Sequence, residues 1–227
     1  MSTSNKKAYV FEMNLISANI FAILIFILAF IGSIYVFGFR NDFENPFIFI
    51  TLIIYFCSHE ALHGLGYYLG GCNPKNISYG VLLEKGIFYC MCYQEITKKN
   101  ILISLQMPFT ILTVLAYLVA VIFHIPFLGF LAIINFMGAS MDMAMFAYIS
   151  RIKNVHYSES GKPNEFVLIT EEDLKKKKSI FLRLKEVRDY KKEDYQFSKI
   201  KKFEYTKASL FVLFGCILLD FIMLLLG

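Results

Sequence analysis

The stretch Cys57-Ser58-His59-Glu60-Ala61-Leu62-His63-Gly64-Leu65-Gly66-Tyr67 lies within an apolar run, Pro46 to about Gly70, that is long enough to cross a bilayer. It contains H-E-x-x-H. On a helix, residues four apart share a face, so His59 and His63 can offer two imidazoles to one zinc ion. Glu60 follows His59 by one position and falls where a general base would meet a water. Three fixed residues can match by chance. Ionisable side chains are costly in hydrocarbon, however, and three of them clustered in one span point to function.

Working outward, the 227 residues are 57% hydrophobic and 18% charged, with mean hydropathy +0.55. That composition predicts a polytopic membrane protein. The net charge of +5 then speaks to topology and lipid headgroups, and no aromatic-basic pattern indicates a nucleic-acid partner. The five cysteines show no disulfide framework. Cys57 and Cys216 read as packing residues. Cys90-x-Cys92 admits, weakly, a second metal or redox site.

The expected architecture is all-α, with about five transmembrane helices, a small cytoplasmic β-hairpin and a mixed basic cytoplasmic loop. Residues 1–14 form a polar amino-terminal segment. A core over 15–149 holds spans at about 15–37, 46–70, 101–123 and 126–149, with the hairpin at 77–93 turning at Glu84-Lys85-Gly86. The hairpin reads as a connecting ribbon, or as an edge strand that pairs with an extended substrate. The basic loop spans 150–207. Within it, Phe166–Ile169 reads as a strand and Thr170 as the cap of a basic helix with Leu174, Phe181, Leu184 and Val187 on its apolar side. That helix is either solvated or laid on anionic lipid. A fifth span covers 208–226. Lysines and arginines concentrate on one side, so the amino terminus and both large loops are expected to be cytoplasmic and the carboxyl terminus outside.

A catalytic zinc site has three protein ligands and one open position. Along straight helices His59 and His63 lie roughly 20 and 26 Å below Pro46, and Asp142 roughly 24 Å below Pro126. Asp142 is thus the expected third ligand, in polar and small-residue company. Asn135, Gly138 and Asp142 share a helix face, and Gly138 would let that helix approach the motif helix. Asp220, at a depth close to that of His59, is the runner-up.

His59-Glu60-Ala61-Leu62-His63 in a span, the hairpin, Pro108 early in the next span and Asn135 to Asp142 resemble intramembrane metalloproteases of the site-2 protease class. The arrangement is more closely similar to a bacterial family of zincin-type peptidases, the domain-of-unknown-function family 3267, over roughly Tyr55 to Ile169. Site-2 proteases carry Asn-x-x-Pro before Asp-Gly. Here Gly138 replaces that proline, Met143 follows Asp142, and the spacing is one shorter.

The resemblance implies a zinc-dependent membrane endopeptidase in a bacterial cell membrane, acting on membrane-associated proteins or peptides. It implies one zinc per chain, Glu60 as catalytic base, His59, His63 and Asp142 as ligands, and Asn135 as a substrate-positioning residue. Two other classes compete: a non-proteolytic metal-binding membrane protein, and an ion- or proton-coupled transporter using Glu60 and Asp142.

Overall fold

The computed structural model describes residues 6–38, 47–83, 87–160, 165–189 and 203–226. Among them, α1 (Leu15–Phe37), α2 (Ile48–Leu69), a continuous helix over Lys98–Ile122 and α7 (Lys207–Leu226) are long and apolar enough to cross a membrane. A fifth candidate is the bent pair α5 (Pro126–Gly138) and α6 (Ser140–Ser150), which meet at 50°. Only 6% of the most apolar window of α1 is buried, and 11% of that of α7. Their outward Leu, Ile and Phe side chains need an apolar solvent. Pro46 and the Glu84-Lys85-Gly86 turn lie outside the described residues.

The Lys98–Ile122 helix changes pitch at a proline. It runs as α3 (Lys98–Pro108), widens to a π-helical stretch at Phe109–Leu115 and resumes as α4 (Ala116–Ile122). Pro108 has no N–H to give to the carbonyl one turn earlier, so the regular ladder is broken there.

The all-α expectation is overturned by two sheets. One has five antiparallel strands in the order β4-β5-β6-β1-β7: β1 (Lys7–Met13), β4 (Ile96–Thr97), β5 (Val155–Glu159), β6 (Glu165–Thr170) and β7 (Leu182–Asp189). Lys7–Met13 of the polar amino-terminal segment is therefore a sheet strand. β1 pairs with β6 and β7, and its Ala8, Tyr9, Val10 and Phe11 are buried on both faces. Phe11 stacks on Phe166 and meets Tyr148 edge-on. These side chains join Tyr67, Ile101, Leu105, Met145 and Ile149 in one core, which seats the sheet on the ends of α2, α3 and α6.

The expected basic helix is also absent. Thr170 Oγ1 accepts from Glu172 N and the chain makes a short 3-10 turn at Leu174–Lys176. It then enters β7, where the register slips between Val10 and Phe11 of its partner. Leu184 and Val187 are three apart because a bulge lies between them, and that spacing imitates a helix.

The second sheet has the order β3-β2-β8, with β2 (Ile77–Leu82), β3 (Ile87–Cys92) and β8 (Phe203–Tyr205). β2 and β3 form the expected hairpin, with Ile77 opposite Cys92. Cys92 is joined by a disulfide to Cys72, just past the end of α2. This pairing, between cysteines without a recognisable framework, ties the hairpin to the motif helix.

Candidate metal centre

One face of α2 carries His59, His63, Gly66, Tyr67 and Gly70, at helical spacing. Gly66 sets the packing: a Cβ there would come 2.5 Å from Ser104 Cα on α3, and one on Gly70 would come 2.8 Å from Asn100 Cβ. The small residues bring the two backbones together. Gly138 does not play this part, since a Cβ there meets only Phe56, at 3.9 Å.

That close approach fixes His63. Its Nδ1 lies 2.9 Å from the Ser104 carbonyl, and Ser104 Oγ donates to the His63 carbonyl at 2.9 Å. In a regular helix the Ser104 carbonyl would accept from residue 108. Residue 108 is proline, which leaves the carbonyl free for the imidazole.

His59 is fixed from the opposite side. Asn135, buried on α5, has Oδ1 2.7 Å from His59 Nδ1. Its Nδ2 donates to the Pro108 carbonyl at 3.2 Å and to Thr113 Oγ1 at 2.9 Å, and this assigns the amide orientation. Both Nδ1 atoms face oxygens that only accept, so both carry the proton. Each Nε2 is left with its lone pair directed inward.

The two Nε2 atoms are 3.1 Å apart, and Asp142 Oδ2, in the first turn of α6, is 3.2 Å from one and 3.3 Å from the other. In a tetrahedral zinc site with bonds of about 2.0–2.1 Å, neighbouring ligand atoms are separated by about 3.3 Å. The triangle fits. Glu60 also offers an oxygen within 4.8 Å of the histidine nitrogens, but the Cys90 backbone N–H donates to its carboxylate and holds it toward β3.

Asp220 lies elsewhere. Its Oδ1 and Oδ2 accept from the N–H groups of Phe49 (3.1 Å) and Ile50 (2.9 Å), at the amino-terminal end of α2. Asn135, expected to face substrate, instead stands behind His59.

The four side chains open on a cleft of about 210 Å³. Phe88 to Met91 of β3 form one wall, and Tyr67, Tyr157 and Glu159 continue it away from the histidines. β5 places Tyr157 and Glu159 on one side of the strand by its two-residue period. Burial raises the Glu159 carboxyl to about 7, opposed by hydrogen bonds from Tyr157 and Tyr67. Burial, reinforced by the neighbouring Glu159, pushes the Tyr157 phenol well above its ordinary value. Glu159 went unnoticed in the sequence, because its tyrosine partner on α2 is 92 residues away.

His59, Glu60 and His63, at H-E-x-x-H spacing on α2, could hold a metal ion. Residues 52–157 match the putative zincin peptidase family, domain-of-unknown-function family 3267. The matched segment takes in α2, the hairpin, α3 to α6 and most of β5, and so contains every residue of the centre. No curated protein and no solved structure matches the chain.

Proposed function

We propose that the chain is a zinc-dependent endopeptidase embedded in the membrane, hydrolysing peptide bonds of membrane-associated proteins or peptides. The observation that carries this reading is the triangle of His59 Nε2, His63 Nε2 and Asp142 Oδ2, with sides of 3.1 to 3.3 Å and Glu60 alongside. These three atoms would hold one zinc ion. When bound, zinc supplies the Lewis acidity that brings the pKa of a water to about 7 and polarises a carbonyl.

The chain's own residues do the rest. Glu60 takes the water's proton and gives it to the leaving amine, and the Cys90 N–H keeps the carboxylate turned to that task. Asn135 and the Ser104 carbonyl hold the two imidazoles in one tautomer and orientation. β3 is an edge strand among the described residues and borders the cleft, so its outer edge suits an extended peptide. A helical substrate has to unwind locally to lie along it. The lysine-rich sheet end of the molecule faces the cytoplasm in this reading.

The test is Glu60→Gln in purified protein with a fluorogenic peptide library. Zinc content is expected to stay near that of wild type while turnover falls by about 10²–10⁴-fold. Full turnover by the Gln protein refutes the mechanism. Zinc without any turnover by wild type points to the non-proteolytic metal-binding alternative.

A further inference from the structure

The cleft is more acidic than a zinc site needs. Glu60, Asp142, Glu159 and Glu165 line it, and no lysine or arginine does among the described residues. Glu60 and Asp142 belong to the centre described above. Glu165 is paired with Lys185 from β7. Among the described residues, no lysine or arginine pairs with Glu159.

Its surroundings are built rather than accidental. The residue is 5% exposed. Tyr157 Oη donates to Oε1 at 2.8 Å and Tyr67 Oη to the same atom at 3.3 Å. Oε2 takes no donor among the described residues, while the side chain borders the cleft. Tyr67 stands four residues beyond His63 on the same face of α2, about 6 Å along the axis. The carboxylate thus lies beside the histidine centre and outside it. A buried carboxylate with an open oxygen gains most from a cation that brings its own donors.

We propose that Glu159 is a specificity-determining residue that receives a cationic group of the bound peptide, either a lysine or arginine side chain or a free amino terminus. The proposal rests on the peptidase reading for the presence of a peptide, but its chemistry is that of one carboxylate and one ammonium or guanidinium. Tyr67 and Tyr157 hold Oε1, which leaves Oε2 for the incoming donor.

The experiment measures binding and cleavage separately. Full-length, zinc-loaded Glu60→Gln protein in detergent is titrated with fluorescein-labelled hexapeptides that differ at one central position: lysine, acetyl-lysine or norleucine. Each is made with a free and an acetylated amino terminus. The same peptides are offered to protein with Glu60 intact.

The lysine or free-amine peptide is expected to bind about ten-fold or more tightly than its neutral counterparts, as a charged hydrogen bond does. Adding Glu159→Gln should erase that preference with little change for the doubly neutral peptide, and Glu159→Asp should keep part of it. Dependence on the central lysine or on the free terminus tells which source is recognised. Equal binding of charged and neutral peptides, or a preference that survives Glu159→Gln, overturns the subsite. Cleavage without charge preference removes the subsite and leaves the peptidase, whereas charge-selective binding without cleavage does the reverse. Neither binding nor cleavage overturns both.

Discussion

Asp142 and Asp220 are the same residue type in two apolar helices, and the structure gives them opposite surroundings. Asp142 meets two imidazole nitrogens, those of His59 and His63. Asp220 meets two backbone N–H groups about 15 Å away along α2. Helix α2 has no cap of its own, since Phe47 stands at the capping position without a side-chain hydrogen bond. Asp220 supplies that cap from α7. An acid in a span therefore marks a place where something positive must be met. A metal ion and a helix amino terminus both satisfy it.

The largest expected effect separates the two acids. Asp142→Asn should abolish zinc retention after dialysis, because it removes a charge directly facing both imidazoles. Asp220→Asn should keep near one zinc per chain and lose roughly 2 kcal/mol of stability, the upper range for a partly buried charge at a helix end. Metal analysis beside thermal unfolding checks both. Zinc lost with Asp220 and kept without Asp142 would reverse the assignment.

Glu159 extends the comparison to an acid that meets, among the described residues, the neutral donors Tyr67 and Tyr157. Its folded pKa of about 7 lies above its ordinary value of 4.5. The native state then holds the proton more tightly than the unfolded chain, so this group costs stability as pH rises from about 4.5 through 7. Glu159→Gln should therefore gain stability relative to wild type at pH 8, by at most about 3 kcal/mol. The gain should vanish near pH 4.5. Melting curves of both proteins across that range test it, and a difference independent of pH would show that folding does not raise this pKa.

His59, Glu60, His63 and Asp142 could be picked out as candidates, and the hairpin read, because each is written locally: a four-residue repeat, an acid in an apolar helix, two β-rich runs around a turn. β1 was not, since Lys-Ala-Tyr-Val-Phe-Glu-Met lacks polar alternation once both faces of its centre are covered. β7 was misread because its bulge puts Leu184 and Val187 at helical spacing. Asn135 was singled out as a residue, but its contact with His59 was not foreseen. Its contacts to Pro108 and Thr113 exist only because the helix widens after the proline, a tertiary consequence that counting depth cannot reach.

Asn135 also predicts an intermediate effect. Asn135→Ala removes the acceptor that directs His59, while leaving the three proposed ligand atoms in place. Outer partners of this kind cost about 10–100-fold in metal affinity. Competition with a zinc chelator measures it. An unchanged affinity would free Asn135 for a substrate role.

The smallest effect concerns orientation. Cys72 and Cys92 are joined in the structure and lie at the lysine-rich sheet end. If that end faces the cytoplasm, the surrounding thiol buffer keeps the two apart in the cell, and the pair closes only on exposure to oxidant. Maleimide alkylation of acid-quenched, denatured cells, needed because both cysteines are buried, should then label both, and reductant added to purified protein should leave peptide turnover within about two-fold, because the β2–β3 ladder and the packing of β3 on α2 persist without the bridge. Protection of both cysteines in those cells, released only by reductant, would place the sheet end outside instead. It would move the lysines, β3 and the mouth of the cleft to the outer face with it, and substrates would have to be sought there.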